Sequence, residues 1–384
     1  MLNDIVCFCH LRWNFVHQRP QHLMTRFAKK SRVFFVEEPV YYDGVDKLSI
    51  QHPQKNVWTV VPYLNESARG MEAEQRQIRL LANLFKSQQI YNYIFWYYTP
   101  LALSVSRGFK ATLTVYDCMD ELSAFKFAPV ELKLKEKELI EKADVVFTGG
   151  KSIYQSKKNL HDYIFCFPSS IDKEHFMQAR TLTEEPADQA GIPHPRIGFY
   201  GVVDERFDLD LLDKVSEIRR DWQFVIIGPV VKIDSHSLPQ RENIHYLGAK
   251  TYQELPHYLS GWDIATCPFA RNESTRYISP TKTPEYLAGG KPVISTAIKD
   301  VVDTYGKNSL VHIIDTPEEF IACAENELSH AEKSTWMKEV DYFLMEDSWD
   351  NTWESMLSLI KHKLRQKATF TKIEKTKSTQ EIAA

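Results

Sequence analysis

The sequence predicts an α/β protein with two Rossmann-like, doubly wound domains that face each other across a cleft. Short runs rich in β-branched and aromatic residues alternate with longer helical patterns along the chain, which is typical of parallel sheets covered by helices. With 384 residues, 43% of them hydrophobic, the chain can build two separate cores. Residues 169–196 are polar, contain three prolines and show little periodicity, which indicates a linker between the two halves.

The first half of the chain predicts seven strands and three helices. The strands are apolar runs bounded by polar or turn residues, at 4–10, 32–38, 57–63, 93–98, 113–118, 144–149 and 163–168. Helical patterns lie between them at 19–30, 72–90 and 130–142. We assign residues 1–180 to an N-terminal Rossmann-like domain.

The second half predicts six further strands and a long C-terminal helix. The strands are at 195–201, 223–229, 244–248, 263–269, 292–296 and 311–315, and residues 181–346 form the C-terminal Rossmann-like domain. Residues 347–366 are amphipathic at helical spacing and begin with an Asp or Ser cap. Residues 367–384 hold few large apolar groups, which indicates a disordered tail.

Composition and charge argue against several classes of protein. The formal net charge of −4 is unfavourable for a nucleic-acid binder that works by neutralising phosphates. The six cysteines lack the paired spacing of a zinc site or a disulfide framework, so we expect reduced thiols. No apolar run approaches the roughly 18 residues of a membrane span, and no secretory signal is visible. We therefore expect a cytoplasmic protein.

The stretch SPTKTPEYLAGGKPVIST, residues 279–296, combines a short helix, a double glycine and a strand. Because Pro284 has no N–H group, it fits only in the first turn of that helix, and Glu285 follows within the same turn. The free N–H groups of a helix start, together with Lys282, suit a phosphate or diphosphate. A carboxylate at Glu285 would repel phosphate but suits the two hydroxyls of a ribose. Alternatively, Glu285 complements the helix dipole and Lys282 is solvated.

This stretch resembles the nucleotide-sugar signature of GT-B glycosyltransferases related to the large retaining family 4, in the branch of bacterial polysaccharide biosynthesis. Further similar segments follow the family's order, and they are WNFVHQRPQHLMTRFA (13–28), VYDCMDE (115–121), EKADVVFTGGKSIYQ (141–155), FPSSIDKEHF (167–176), IGFYGVVDERFDLDLL (197–212) and IHYLGAKTYQELPHYLSGWDIATCPF (244–269). The resemblance covers roughly residues 4–360. It implies the GT-B fold, with an acceptor-binding first domain, a nucleotide-sugar-binding second domain and a C-terminal helix that crosses back to the first.

The resemblance also implies a set of residues that bind the donor. Arg206 and Lys282 are expected to hold the diphosphate and to stabilise its charge as it leaves, and Glu285 is expected to bind the ribose. Arg206 could otherwise be an exposed residue at a helix start, and residues 248–250 an ordinary turn. The expected donor-binding residues are Gly201, Val202, Arg206, Gly248, Lys250, Glu273, Ser279, Thr281, Lys282 and Glu285.

One position departs from the family pattern. The family usually carries two glutamates separated by seven residues, and the first of them is associated with the donor sugar. Counting back from Glu285, that position is Tyr277. Glu273 is the nearest upstream acid, so we expect it to replace the missing glutamate from a longer loop.

Candidate residues on the acceptor side follow the strands of the first half. Asp117 stands where many family members carry a histidine that contacts the donor sugar, and we predict it to be catalytic together with Arg206 and Lys282. Trp13, His17, Arg19 and Asp120 are predicted to bind the acceptor, since aromatic and hydrogen-bonding groups suit sugars. Asp120 could instead cap a helix, and Arg19 could simply open one.

The resemblance implies transfer of a hexosyl group from a UDP- or GDP-linked sugar to a hydroxyl of a glycan or lipid-linked acceptor, with retention of configuration and without a metal or other cofactor. The alternatives are a nucleotide-sugar epimerase of the same fold and a non-catalytic nucleotide-sugar-binding protein. A nicotinamide-dependent enzyme is disfavoured because no G-x-G-x-x-G follows an early strand. Aromatic and basic residues in 12–30 and 72–90 indicate contact with the inner face of the cell membrane, although solvated helix faces explain them equally well.

Overall fold

The computed structural model describes residues 4–330 and 333–382, with side chains up to residue 369. It contains two sheets in sequence, the first parallel except for one antiparallel strand and the second wholly parallel, each flanked by helices. Every strand predicted from the sequence is present. The predicted fold class is therefore confirmed.

The first sheet has nine strands in the order β3-β5-β2-β1-β6-β7-β8-β9, and β4 pairs only with β5. The strands are β1 (Asp4–Cys9), β2 (Val33–Glu37), β3 (Val40–Tyr42), β4 (Lys47–Gln54), β5 (Val57–Asn65), β6 (Tyr93–Tyr97), β7 (Leu113–Cys118), β8 (Val145–Thr148) and β9 (Ile164–Cys166). The sequence did not predict β3 and β4. The antiparallel strand β4 is a largely exposed edge strand that contains Pro53, so it lacks a run of apolar residues.

The helices of this sheet are α1 (Arg19–Phe27), α2 (Gly70–Ser87), α3 (Leu103–Ser106), α4 (Leu132–Lys142) and α5 (Lys151–Lys157). Alternate residues of β1 face two different apolar clusters: Ile5 and Cys7 lie in one, and Val6 and Phe8 lie in the other. Because side chains alternate along a strand, both faces of this sheet are buried, as the doubly wound fold requires.

The predicted linker packs against the second domain. It contains the short helices α6 (Lys173–Met177) and α7 (Ala187–Ala190). Ile171, Phe176, Ala179 and Ile192 are buried in the core of the second domain. The polar composition of the segment concealed these apolar anchors, which are too widely spaced to give a periodic pattern.

The second sheet has six parallel strands in the order β12-β11-β10-β13-β14-β15. They are β10 (Arg196–Tyr200), β11 (Gln223–Ile227), β12 (Ile244–Gly248), β13 (Ile264–Cys267), β14 (Val293–Thr296) and β15 (His312–Ile314). The helices are α8 (Leu209–Ile218), α9 (Leu255–Ser260), α10 (Lys282–Ala288), α11 (Lys299–Thr304), α12 (Pro317–Ser329) and α13 (Ser334–Phe343). The strand order reverses beside β10, where open α/β sheets place their ligands.

The last helix, α14 (Trp349–Ile382), returns to the first domain. Its buried side chains join a cluster with Phe27 and Phe35 of the first domain, and they are Trp349, Trp353, Met356, Leu357 and Ile360. The expected crossover is therefore confirmed. The helix continues beyond the predicted end at 366, because residues 367–382 contain no glycine or proline to stop it. Of the predicted disordered tail, residues 383–384 lie outside the described residues.

None of the described helices combines the length and the apolar character needed to cross a membrane. The longest, α14, is amphipathic over the part that packs on the first domain, where buried Trp353 lies next to exposed Glu354. Its apolar residues therefore face the protein core.

A buried carboxylate joins the two domains beside the cleft. Asp300 of α11 accepts hydrogen bonds from the backbone N–H groups of Lys151 (2.8 Å) and Ser152 (3.0 Å) at the start of α5. A Cβ atom at Gly150 would lie 2.7 Å from Asp300 Oδ2 and 2.9 Å from Ser279 Cβ. Because only glycine leaves room for this approach, the second domain rests directly on the first at this point.

We expect Trp353→Ala to lower the free energy of unfolding of the first domain by about 3–5 kcal/mol, because the substitution leaves a large cavity in the core where Trp353 is buried. Denaturation in urea, followed by circular dichroism, measures the change. Glu354→Ala, an exposed neighbour on the same helix, should change it by less than about 0.5 kcal/mol. Equal effects of the two substitutions would show that the crossover does not support the first domain.

Candidate functional site

A cavity of about 750 Å³ lies in the cleft between the two domains. Its first-domain wall includes the loop after β1 and residues that follow β7, and its second-domain wall includes the ends of β10 and β11 and the start of α10. The predicted site residues that line it are Trp13, His17, Arg19, Asp120, Gly201, Val202, Arg206, Lys250, Ser279, Thr281, Lys282 and Glu285. The structure thus brings together most of the predicted donor and acceptor residues.

The strand ends approach each other closely at the floor of this cavity. Gly201 has φ +146°, and Gly228 has φ +139°, a region that favours glycine. A Cβ atom at Gly228 would lie 1.9 Å from the carbonyl oxygen of Gly201, and one at Gly201 would lie 2.1 Å from Cε of Lys282. The two glycines therefore allow the backbone and the Lys282 side chain to meet at one place.

Lys282 begins α10, as the sequence predicts, and the helix ends at Ala288 with Gly289 as its C-cap. Burial lowers the pKa of Lys282, while the neighbouring Glu285 raises it. Among the described side chains, no carboxylate lies within 4.0 Å of its ammonium nitrogen. Its charge is therefore available to an anion in the cavity.

Glu285 is a buried carboxyl group in the same wall. Burial raises the pKa of Glu285 to about 7, against the opposing effects of Lys282 and of a hydrogen bond from Tyr200. The Tyr200 hydroxyl donates to Oε2 over 2.9 Å, and Oε1 accepts no hydrogen bond from the described residues. This oxygen is free to accept hydrogen bonds from a bound ligand. Tyr200 was not predicted as a site residue, because nothing local in the sequence places it beside Glu285.

Arg206 is held by a neighbouring acid that the sequence analysis did not assign. Its guanidinium donates to both oxygens of Asp204, with Nε–Oδ1 at 2.9 Å and Nη2–Oδ2 at 2.7 Å. It also stacks on the ring of Phe125 at 5.1 Å. The Nη1 group makes no hydrogen bond to the described residues, so the fixed guanidinium retains donors for an anion.

Trp13 and His17 lie on the first-domain wall. Trp13 packs edge-on against Phe35 at 5.1 Å, and its backbone N–H donates to Glu37 over 2.9 Å. The His17 ring lies 4.6 Å from the ring of Tyr252 in the second domain. Both predicted residues are therefore held at the cavity by aromatic contacts.

Asp117 and Arg19 form a buried ion pair. Arg19 Nε and Nη2 donate to Asp117 over 2.9–3.1 Å, and Arg19 Nη1 donates to the carbonyl of Phe167 over 2.7 Å. Asp117 is 0% exposed and does not line the cavity. The structure corrects the predicted catalytic role of Asp117 and the predicted acceptor contact of the Arg19 guanidinium, because each group uses the other to satisfy its buried charge.

Two predicted donor residues lie outside the cavity, and a third lines it with its charge already paired. The side chain of Glu273 is 79% exposed and its carboxylate lies 4.0 Å from Arg276; it is outside the cavity and does not replace the missing glutamate. Gly248 accepts a hydrogen bond from the N–H group of Gly228 at 2.8 Å but does not line the cavity. Lys250 reaches the cavity wall, yet its ammonium group pairs with Asp188 at 2.5 Å.

Tyr277, at the position of the missing glutamate, packs against the apolar cluster of the first domain that contains Val6 and Phe8. It does not line the cavity. This position therefore supports the contact between the domains and places no carboxylate in the cavity.

A second cavity, of about 510 Å³, adjoins the first. The two share Phe15, Gln18, Asp120, Val202 and Arg206, so Asp120 and Arg206 stand at their junction. The loop of residues 125–129 forms a wall of the second cavity. The sequence does not predict this compartment, because its residues come from separate segments without a shared motif.

The second domain matches a known family. Residues 194–330 match the family model described as Glycosyl transferases group 1. A Bacillus subtilis (strain 168) protein that carries the name teichuronic acid biosynthesis glycosyltransferase TuaH is 22% identical over 258 residues. That similarity covers 63% of this chain and 65% of the Bacillus protein, which is less than two thirds of its length.

Solved structures with the same two-domain fold cover nearly the whole chain. An E. coli protein described as trehalose-6-phosphate, bound with UDP-2-fluoro glucose, has a TM-score of 0.68 at 12% identity and covers 93% of this chain and 98% of its own. Sucrose-phosphate synthase from Thermosynechococcus elongatus has a TM-score of 0.68 at 13% identity, and the match covers 94% of this chain and 99% of the synthase. Anabaena HepE in complex with UDP and glucose has a TM-score of 0.68 at 12% identity, and the match covers 94% of this chain and 100% of HepE. These likenesses confirm the GT-B fold.

We expect Asp117→Ala to lower the free energy of unfolding by about 3–5 kcal/mol, because it leaves the buried charge of Arg19 without its partner. Urea denaturation measures the loss. The double substitution of Arg19→Met and Asp117→Leu should recover part of it, since an apolar pair needs no compensating charge. An Asp117→Ala protein of parental stability would contradict the structural role.

We expect Glu285→Gln to stabilise the unliganded protein above pH 7 by on the order of 3 kcal/mol. The folded-state pKa of about 7 is above the ordinary 4.5, so folding favours the protonated carboxyl. The stability that this proton confers is complete below pH 4.5 and is lost as the pH rises through about 7. Urea denaturation of both proteins across this range measures the difference.

The matched control is Glu273→Gln, which alters an exposed carboxylate outside the cavity. Its free energy of unfolding should differ from that of the parent protein by less than about 0.5 kcal/mol. A difference between Glu285→Gln and the parent protein that does not vary with pH would contradict the raised pKa of Glu285.

Proposed function

We propose that the protein is a glycosyltransferase that moves a hexosyl group from a nucleoside-diphosphate sugar to a hydroxyl of a glycan or lipid-linked acceptor in cell-surface polysaccharide biosynthesis. The observation that carries the proposal is the presence of Arg206, Lys282 and Glu285 in the wall of one cavity. The match of residues 194–330 to Glycosyl transferases group 1 and the name of the Bacillus relative support the reaction class and the pathway class.

In the proposed complex the first cavity holds the donor. Lys282 and the free Nη1 group of Arg206 bind the diphosphate, while Glu285 accepts hydrogen bonds from the ribose hydroxyls. Gly201 and Val202 bring backbone close to the phosphates, and they lie with Ser279 and Thr281 around the same cavity. The UDP-2-fluoro glucose and UDP bound to two of the similar structures support a UDP-linked donor, with GDP as the alternative base.

We propose that transfer proceeds with retention of configuration. The bond between the anomeric carbon and the diphosphate oxygen breaks, and the acceptor oxygen forms its bond to the same face of that carbon. The acceptor proton passes to the departing diphosphate, so no protein nucleophile is required. Arg206 and Lys282 stabilise the charge that develops on the leaving group, and in this proposal they take the place of a metal or other cofactor.

The second cavity is the proposed acceptor compartment. Asp120 stands at its junction with the first cavity and can accept a hydrogen bond from the reacting hydroxyl, which orients it toward the donor. Trp13 and His17 lie in the wall of the first cavity and offer an aromatic surface beside the transferred sugar. We further propose that the protein works at the inner face of the cell membrane, where a lipid-linked acceptor would be present.

Isothermal titration calorimetry with UDP, GDP and uridine tests the donor assignment. We expect Glu285→Ala to weaken the binding of both UDP and uridine by about tenfold or more, because hydrogen bonds to a charged group contribute about 1.5–3 kcal/mol. Lys282→Ala should weaken the binding of UDP by a similar factor and leave the binding of uridine unchanged, since the Lys282 side chain is proposed to contact only phosphate. Glu273→Ala, outside the cavity, should change neither.

Turnover of UDP- and GDP-sugars, with product analysis in the absence of acceptor, tests the reaction. Release of free nucleoside diphosphate supports glycosyl transfer, whereas an epimerised donor sugar would identify an epimerase. If Glu285→Ala binds uridine as tightly as the parent protein, the ribose assignment is wrong. If nucleotide binds and no donor is turned over with any acceptor, the protein is a binding protein and the enzymatic proposal fails.

A further inference from the structure

One edge of the first domain exposes an unusual group of large apolar side chains. Among the described residues, seven large apolar side chains are more than 70% exposed, and five of them, with exposures of 74–94%, are on this edge. We define the apolar rim by these five residues, which are Val45, Met71, Phe127, Val130 and Leu134. Single exposed apolar residues are normal, but a group of this kind marks an interaction surface.

Ion pairs show that the segments of the apolar rim are neighbours. Lys135 of α4 lies 3.9 Å from Glu74 of α2, so that the start of α4, with Leu134, is beside the start of α2, with Met71. Arg76 of α2 lies 3.4 Å from Asp46, which follows Val45 in the turn between β3 and β4. The apolar rim is therefore one surface made by three segments of the chain.

In the stretch 126–134 two lysines alternate with the apolar residues of the rim, whereas Val45 and Met71 are each followed by an acid, Asp46 and Glu72. Lys126 lies 5.4 Å from the ring of Phe127, and Lys133 lies next to Leu134. Both are exposed, and among the described side chains no carboxylate lies within 4.0 Å of either ammonium nitrogen, although the backbone N–H of Lys126 donates to Glu205 over 3.2 Å. Glu131 is the one exposed acid in the stretch 125–134. Apolar side chains flanked by unpaired lysines fit a bilayer that carries anionic headgroups.

The apolar rim continues into the second cavity. Phe127 belongs to both, because it lines that cavity and is 79% exposed. It also has φ +65°, a conformation that is unfavourable for a bulky side chain. Leu132, at the start of α4, lines the same cavity, while Val130 and Leu134 beside it are exposed. A molecule anchored in a bilayer under the apolar rim would thus have its head group at the mouth of the second cavity.

We propose that the apolar rim docks on an anionic lipid bilayer and places the second cavity over a lipid-linked acceptor. The docking stands on the surface alone, and the acceptor part rests on the proposed function. The location differs from the one that the sequence indicated. In the stretch 12–30 nearly all of α1 is buried, and only the first turn of α2 contributes to the rim.

Sedimentation of the full chain with phospholipid vesicles tests the docking. We expect binding to vesicles of phosphatidylcholine with phosphatidylglycerol, and weaker binding to phosphatidylcholine alone, because the lysines contribute electrostatic attraction. The double substitution of Val130→Asp and Leu134→Asp should lower the bound fraction by about tenfold or more. Lys126→Gln with Lys133→Gln should lower it on the anionic vesicles only.

The matched control is Tyr91→Asp, which alters a residue that is 78% exposed and precedes the central strand β6, whereas the segments of the apolar rim follow the carboxyl ends of β3, β5 and β7. It should bind vesicles as the parent protein does. Circular dichroism establishes that each variant is folded, and UDP binding, measured in parallel, should be unchanged in all of them because none of these residues lines the first cavity.

Vesicle binding that survives the two aspartates, or no binding of the parent protein to either vesicle, overturns the docking. A protein that self-associates through this surface in analytical ultracentrifugation without binding vesicles also overturns it, since the rim would then hold a second copy of the chain. Vesicle binding without UDP binding supports the docking and contradicts the proposed function. UDP binding without vesicle binding supports the proposed function and contradicts the docking.

Discussion

The contact of Asp300 with the start of α5 determines how the second domain sits on the first. The carboxylate is 3% exposed and accepts two backbone N–H groups that a helix start leaves without internal partners. Gly150 removes the side chain that would separate the domains there, and Ser279 rests against it. Since Ser279 leads into α10, this contact fixes Lys282 and Glu285 relative to the first-domain wall, and the shape of both cavities depends on it.

The cavity wall holds charges that the empty site does not favour. Burial raises the pKa of Glu285 and lowers that of Lys282, so each group is held in conditions that oppose its charged form. A ligand with a diphosphate and a ribose would compensate both, by supplying negative charge to the lysine and hydroxyl donors to the glutamate. Binding sites of this kind usually lower the stability of the unliganded protein. Arg206 is different, because Asp204 already compensates its charge and fixes its direction.

The assignments that depend on local sequence agree with the structure better than those that depend on contacts between distant residues. The turn position of Pro284 placed the start of α10 correctly, because a residue without an N–H group has few positions in a helix. Asp117 was assigned to the ligand because it stands where many members of the resembled family carry a histidine, but its carboxylate binds Arg19, 98 positions away. Glu273 was the nearest acid along the chain, yet its loop carries it into solvent. Neither outcome leaves a local signal in the sequence.

The amino-acid sequence by itself determined the alternation of strands and helices, the two parallel sheets, and the residues Lys282 and Glu285 as neighbours on one short helix. Periodicity and turn chemistry encode these features over a few residues. Only the tertiary structure decided which charged groups face the cleft and which are paired with other charged residues of the protein. It also decided that the second cavity adjoins the apolar rim. Those features depend on how distant segments pack, and packing distance is not encoded in the spacing of residues along the chain.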